Sequence, residues 1–255
     1  YLIQNAIDDS KSTKRRQTFK IEGNTNVQLV KDYYRDRTSG YQSLIKPEIK
    51  YIFIPNSSFR DLPYIDPYDR ILKINAVTYS LNHYLTEFIR GTNREVSLLQ
   101  IEQTYGLSGT LQPSNLYEGS GKRFSDTKTR FTFSTNNDLS FVHENVLNVY
   151  GEAFKKISNT LSYRRPDVFN INLSHTYTKH LDDQLFADLG ATYKVIDGRY
   201  QIRYSIKDGM WIDTLYQIVY HPSCWAVTLT LTQTKRPRDT SFRFAFDLAG
   251  ITKMR

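Results

Sequence analysis

The sequence has few of the features that define common soluble enzymes or helical membrane proteins. It contains one cysteine, so no disulfide can form within the chain. No apolar run reaches about 18 residues, which excludes a transmembrane helix, and no signal peptide is recognisable at its start. No Gly-rich nucleotide-binding loop is present. The first residue is Tyr1 rather than Met, so we expect the chain to be processed or part of a longer protein.

Composition guides the functional assignment only weakly. In 255 residues, 34 Lys and Arg against 26 Asp and Glu give a net charge of +8. No basic helical stripe or nucleic-acid motif accompanies this charge, so we expect no nucleic-acid partner. A mean hydropathy of −0.53 fits a soluble protein, but also a membrane β-barrel, whose lipid-facing and lumen-facing residues alternate. The 19 Tyr and 14 Phe residues fit the aromatic girdles of such a barrel.

The last third of the chain carries the clearest pattern. Apolar residues recur at every second position, which is typical of a strand with one apolar face. One run places Trp225, Val227, Leu229 and Leu231 on the apolar face, and a later run places Phe242, Phe244, Phe246 and Leu248 there. We predict that these Phe residues face lipid and that Arg243 and Asp247 line a wet lumen.

Most of the remaining chain is also predicted as strand, because β-branched and aromatic residues dominate and helical periodicity is weak. The predicted strands are residues 17–34, 40–54, 71–89, 95–107, 128–135, 139–150, 155–164, 168–179, 184–196, 199–207, 213–221, 224–234 and 240–249. Most reach the roughly 9–11 residues that a tilted strand needs to cross a bilayer. About 13–14 antiparallel strands must curl or close. The predicted fold class is all-β, an antiparallel transmembrane β-barrel segment.

The connections between these strands alternate in length. One set is mostly short and includes Asp197-Gly198, which is predicted as a two-residue hairpin turn because both positions must accept a positive φ. The other set is longer on average. Short periplasmic turns and longer outer loops are typical of outer-membrane barrels, so we expect the short set on the periplasmic side.

Two stretches of the sequence resemble the LptD (OstA/Imp) family of outer-membrane LPS-assembly proteins. Residues 45–55 and the following loop are similar to the family's strand-plus-loop pattern, and residues 220–225 with the final strands are similar to its cysteine motif. The loop residues that carry the likeness are Pro55, Leu62, Pro63, Asp66, Asp69 and Arg70. The resemblance spans about residues 40–249.

The resemblance implies a function in LPS transport at the outer membrane of a Gram-negative bacterium. Residues 1–255 would be roughly the C-terminal half of a larger barrel, with an N-terminal jellyroll and the first strands missing. An LptE-like lipoprotein would plug the lumen, and a periplasmic LPS bridge would deliver LPS to the jellyroll. LPS would leave through a lateral seam, one lip of which is the last strand. The barrel-assembly machinery would recognise that strand.

The resemblance also implies roles for individual residues. The last strand contributes Phe242, Arg243, Phe244, Phe246, Asp247 and Leu248 to the seam. The family often has two adjacent cysteines that bond to the N-terminal domain, whereas this chain has Ser223 and Cys224, so at most one interdomain disulfide is implied. Candidate contacts to LPS phosphates are Lys14, Arg15, Arg16, Lys235, Arg236 and Arg238. Solvated loop charge is the alternative explanation of these basic residues.

Other functions remain open from the sequence. His180, Asp182 and Asp183 form the most catalytic-looking cluster, but we favour the simpler interpretation that they are a polar hairpin tip between the strands at 168–179 and 184–196. We predict no catalysis, no metal site and no cofactor. The alternatives are another outer-membrane barrel, either a porin-like channel or a barrel hydrolase, and a soluble β-sandwich that binds a ligand.

Overall fold

The structure, a computed structural model, describes residues 18–55, 73–109, 111, 121–135, 138–151, 153–166, 168–222 and 224–248. Within them the fold is all-β. The strands are β1 (Ile21–Asn26), β2 (Leu29–Tyr34), β3 (Ser39–Ile54), β4 (Ile74–Ile89), β5 (Thr92–Gly106), β6 (Thr127–Thr135), β7 (Leu139–Asn148), β8 (Ala153–Arg165), β9 (Phe169–Thr178), β10 (Asp182–Tyr193), β11 (Ile196–Ser205), β12 (Met210–Tyr220), β13 (Trp225–Lys235) and β14 (Arg238–Leu248). No α-helix in these residues is long and apolar enough to span a bilayer.

The strands form one 14-stranded sheet in which each strand from β3 onward lies beside its sequence neighbours. This meander of antiparallel hairpins confirms the predicted all-β class. The chain divides into two compact units by its internal contacts. The first consists of Tyr1–Arg94, Leu98–Thr129 and Val146–Ala153, and the second of Glu95–Ser97, Arg130–Asn145 and Phe154–Arg255.

In the first unit, the predicted single strand at 17–34 is interrupted, and Pro47 explains why. Both β1 and β2 pair with β3, and the register continues without a shift from Asn26↔Glu48 to Leu29↔Ile45. Between them Val27 donates to the carbonyl of Pro47 at 3.2 Å. Proline has no N–H and cannot return that hydrogen bond. The ladder is therefore broken opposite Pro47, while the strand direction is kept.

The short connection between β2 and β3 is organised by Asp36. Its carboxylate accepts hydrogen bonds from the Thr38 backbone N–H at 2.7 Å and from the hydroxyls of Thr38 and Ser39. These bonds stabilise the charged form and lower the pKa of Asp36 from 3.8 to about 2, the Ser39 hydroxyl having the largest effect. The Asp36 side chain thus adds to the backbone hydrogen bonds of this turn, in which the N–H groups of Arg35 and Asp36 donate to the Ser39 carbonyl.

In the second unit, the predicted turn at Asp197-Gly198 is wrong. The register places Tyr193 opposite Ile196, so the turn is formed by Lys194 and Val195, and Lys194 takes a φ of 54°. Asp197 and Gly198 lie inside β11. This register sets Arg199 opposite Gly190. The Arg199 side chain reaches diagonally from this position to Asp188, and that ion pair accompanies the observed register. The space that a side chain at position 190 would need is filled by the Asn170 amide.

Candidate functional site

The three terminal strands give the sheet two chemically different faces. On one face Phe244 lies opposite Leu229, and Leu229 lies opposite Ile218. The neighbouring rows on this face are Phe242–Leu231–Tyr216 and Phe246–Val227–Tyr220. On the other face Arg243, Thr230 and Gln217 form the corresponding row. The predicted alternation is therefore present as continuous apolar rows on one face of β12–β14, while the other face is mostly polar and includes Leu215 and Val219.

Strand β14 ends the path of the sheet, and within the described residues it pairs with β13 alone. Its apolar side chains are strongly exposed, Phe242 at 69% and Phe244 at 61%. An edge strand presents unpaired backbone N–H and C=O groups. In hydrocarbon such an edge is unfavourable, because no water can satisfy those groups. The unpaired backbone groups of β14 therefore need partners, either from another strand or from polar groups of a molecule that lies along the edge.

The polar face carries charge in two different arrangements. Farther from the edge, charges are paired: Arg199 binds Asp188, and Arg203 lies 2.7 Å from Asp213. On β14 itself, Arg243 has no ion-pair partner within the part of the chain that the structure describes. The side chains of Arg243 and Asp247 are both exposed. Charged groups that lack internal partners at an edge can bind an external polar group.

The β13–β14 hairpin holds three of the predicted basic residues. Lys235 and Arg238 are paired at the end of the ladder, and Arg236 lies in the exposed turn between them. Lys235 and Arg238 also line an open depression of about 410 Å³ together with Trp211 and Tyr216. Positive charge beside aromatic surface suits a phosphate attached to an amphiphile. Lys14, Arg15 and Arg16 lie outside the described residues.

Cys224 is free and exposed in the connection between β12 and β13. Beside it the Tyr220 and Trp225 rings pack edge to face at 5.4 Å, and the backbone N–H of His221 donates to Val195 at 2.8 Å. The connection is thus held from both sides while the thiol remains accessible. A cysteine on another polypeptide segment could reach it.

Of the predicted loop motif, Pro55 directly follows β3, and Leu62, Pro63, Asp66, Asp69 and Arg70 lie outside the described residues.

The cluster predicted at His180, Asp182 and Asp183 is not assembled as a catalytic group. Asp183 binds the Nε2 of His175 on the neighbouring strand at 2.8 Å. His180 lies in the turn with a φ of 66°, and its carbonyl accepts from Lys207 at 3.1 Å. Within the described part of the chain, no group of three or more His, Cys, Asp and Glu residues could hold a metal ion.

The sequence analysis missed a row of polar side chains on the apolar face. His143 binds Asn159 at 2.7 Å and Asn145 at 2.8 Å, and Asn159 lies opposite His175, which binds Asp183. Glu144 points to the other side and lies 3.5 Å from Arg130. The only sequence signal was the recurrence of His or Asn at apolar positions of an alternating strand. That signal is visible only once the register is known.

Among the comparisons with known proteins, the family model alone shows the family. No curated protein matches the sequence. Among solved structures, a mutant of the Rh. blastica porin aligns with 88% of this chain and 89% of that chain, at a TM-score of 0.36 and 7% identity. The model of the LptD family, described as LPS transport system D, matches residues 3–207. The matched range includes the Pro55 stretch and ends before β12–β14 and Cys224. Because it covers most of the chain, the predicted family is confirmed, and the chain belongs to the LptD family of LPS transport proteins.

Proposed function

We propose that this chain forms the C-terminal barrel part of an LPS translocon in the outer membrane of a Gram-negative bacterium and does not act as an enzyme. The observation that carries the proposal is the match to the LptD family over residues 3–207. The fold agrees with it in kind. Fourteen antiparallel strands in one sheet, with the apolar face that β12–β14 present, are what a barrel wall needs between lipid and water.

The polar face would line a hydrated lumen through which the sugar part of LPS passes. Its paired charges, Asp188–Arg199 and Arg203–Asp213, keep this wall charged without leaving partly buried groups unpaired. The exposed Phe row of β14 and its neighbours would face the acyl chains of the membrane. An amphiphile whose sugars stay in the lumen and whose acyl chains enter the bilayer must cross the wall between two strands.

Strand β14 is the proposed lip of that lateral seam. Its outer edge would pair with the first strand of the complete barrel when the seam is closed, since an unpaired edge in hydrocarbon is costly. Opening would be transient, and LPS would move along Phe242, Phe244, Phe246 and Leu248 on the lipid side. Arg243 and Asp247 on the lumen side would contact its polar groups.

The proposed partners of this chain are those that the family resemblance implies. An LptE-like lipoprotein would occupy the lumen, and an N-terminal domain on the same protein would receive LPS from the periplasmic bridge. A disulfide from Cys224 would tie the barrel to that domain. The barrel-assembly machinery would insert the chain through β14. Lys235, Arg236 and Arg238, together with Lys14, Arg15 and Arg16, would contact LPS phosphates at the outer surface.

Photocrosslinking in cells tests the seam. A photoreactive amino acid placed at Phe244 or Arg243 of the full-length parent should capture LPS, detected as an LPS-reactive band of higher mass. The matched control is Ile218, which shares the apolar face but lies two strands away from the edge. We expect strong capture on β14 and weak capture at Ile218. Absence of LPS adducts along the whole of β14 would refute lateral release here.

A further inference from the structure

The apolar face of the sheet changes its chemistry in steps toward the turn of the β13–β14 hairpin. The row nearest the middle of β14 is apolar and consists of Phe242, Leu231 and Tyr216. The next row toward the turn is polar and consists of Thr240, Gln233 and Thr214. Beyond it, Lys235 and Arg238 lie directly opposite each other. The face therefore passes from apolar through uncharged polar to cationic within four residues of β13, or roughly 13 Å.

This order of rows is the order of chemical groups along a membrane amphiphile. Acyl chains suit the apolar row, hydroxyl and ester groups suit the polar row, and an anionic head group suits the cationic row. Trp and Tyr are enriched where a membrane meets water. Trp211 and Tyr216 line the same open depression of about 410 Å³ as Lys235 and Arg238, and its lining mixes polar and apolar groups. The depression therefore lies at the level of lipid head groups.

Lys235 and Arg238 form a like-charge pair without a counter-charge on their own face. Like charges directly opposite each other in a ladder are destabilising, and neither residue has an ion-pair partner within the part of the chain that the structure describes. Asp213 also lines the depression, but Arg203 binds its carboxylate at 2.7 Å on the polar face. An anion bound between Lys235 and Arg238 would remove their repulsion.

The two cations also select the kind of anion. Lysine presents a compact charge, and arginine presents a planar fork that can bind two oxygens of one phosphate. A phosphate monoester carries about −1.5 to −2 charges at neutral pH, which nearly balances Lys235 and Arg238. A phosphate diester has one ionisable oxygen fewer and would leave about half of their positive charge uncompensated. The pair therefore favours a monoester over a diester.

We infer that the depression at the β13–β14 hairpin binds a phosphate monoester at the head of a membrane amphiphile, on the lipid-facing side of the sheet. Lys235 and Arg238 hold the phosphate between them, and the rings of Trp211 and Tyr216 contact the part of the ligand next to it. The inference rests on the proposed function, because it needs the proposed membrane location. It deepens the proposed phosphate contacts, since it gives Lys235 and Arg238 one shared ligand that lies outside the lumen.

Native mass spectrometry of the full-length parent, purified in detergent with its partner lipoprotein, tests this site. The probes are phosphatidic acid, which is a phosphate monoester, and phosphatidylglycerol with the same acyl chains, which is a diester. We expect phosphatidic acid to be retained about tenfold more, since one additional charge-assisted contact is worth roughly that factor. Equal retention of the two lipids would overturn the inference.

A soluble competitor distinguishes a lipid head group from free phosphate. Glycerol 3-phosphate carries the same monoester without acyl chains, and at the concentration of the lipid it should not displace phosphatidic acid. Displacement under these conditions would show that phosphate alone is the ligand, and would overturn the assignment to a membrane amphiphile.

Substitutions locate the preference for the monoester. The double variant Lys235→Gln/Arg238→Gln should retain both lipids equally. Lys156→Gln is the control and should keep the preference, because Lys156 alternates in β8 with the apolar Ile157 and lies on the other face. Heat-modifiable migration on gels would show that each variant is folded.

A preference that survives the double variant, or one that Lys156→Gln also abolishes, would overturn the inference. In the second case the overall charge of the protein, and not the depression, would decide which lipid is retained. Capture of LPS at Phe244 and Arg243 in cells does not depend on this preference. Failure of the proposed lateral release is therefore recognised separately.

Discussion

The guanidinium of Arg199 holds the carboxylate of Asp188 with two parallel hydrogen bonds, 2.9 Å from Nε and 2.7 Å from Nη2. Asp188 is almost buried, with 12% of its side chain exposed, whereas 48% of the Arg199 side chain is exposed. Removing the arginine would leave a nearly buried carboxylate without a counter-charge and with the Gln201 side chain as its remaining hydrogen-bond partner. Arg199→Ala should therefore lower the free energy of unfolding by about 1–2 kcal/mol, between the values for exposed and buried pairs. Denaturant unfolding in detergent measures it.

The Arg203–Asp213 pair is the matched control for this prediction. Its arginine is equally exposed, at 47%, but its carboxylate is more accessible, at 26%. Arg203→Ala should cost less than Arg199→Ala, since water can solvate Asp213. An equal or larger loss for Arg203→Ala would show that burial of the carboxylate does not decide the effect.

The assignment of lipid and lumen faces on β14 is tested by moving one charge by one position. Phe244→Arg would put a cation among acyl chains and should cost about 2–4 kcal/mol near the middle of the bilayer. Ala245→Arg would put it on the polar face and should be tolerated. The amount of folded, heat-modifiable protein in outer membranes is the readout. Similar losses for both variants would contradict the face assignment.

The break between β1 and β2 should close when Pro47 is replaced. Pro47→Ala supplies an N–H that can donate to Val27, the residue opposite. Hydrogen–deuterium exchange in a peptide covering residues 24–31 should become slower. Ile49→Ala is the control, because Ile49 already has its N–H in the ladder opposite Thr25. Unchanged exchange in Pro47→Ala would show that the break has another cause.

The Asp36 turn should lose its hydrogen bonds only in strong acid. The pKa of Asp36 is lowered to about 2 in the folded chain by the Ser39 hydroxyl and the Thr38 backbone N–H. A lowered pKa means that the charged carboxylate stabilises the fold fully above the ordinary value of 3.8, and that this stabilisation is lost as the pH falls through about 2. Stability measured from pH 5 downward should therefore fall less steeply in Asp36→Asn than in the wild type. Parallel curves would contradict the assignment.

The proposed interdomain disulfide requires an accessible Cys224 thiol and a partner cysteine outside this chain. The thiol is exposed, and Cys224 is the one cysteine of the chain. On a non-reducing gel of outer membranes, the wild type should migrate differently from its reduced form, and Cys224→Ser should remove the difference. Identical migration with and without reductant would leave the thiol free. The family assignment would stand, because the matched residues end before Cys224.

Alternation along the chain was enough to predict most strands and their faces. A strand has a period of two whatever it pairs with, so Phe242, Phe244 and Phe246 had to share a side. The β3 strand, predicted at 40–54, lies at Ser39–Ile54. The resemblance of the Pro55 stretch to the family could also be recognised from the sequence alone, because it depends only on which residue types follow one another.

What the sequence could not decide was which residue lies opposite which. The Asp197-Gly198 turn looked right locally, yet a shift of the turn along the chain preserves both faces, so periodicity cannot detect the error. Only the paired register places Arg199 opposite Gly190 and within reach of Asp188, and sets Asn159 opposite His175. The faces of this protein follow from its sequence because alternation is local. Its ion pairs were decided by tertiary structure, because they join residues on different strands.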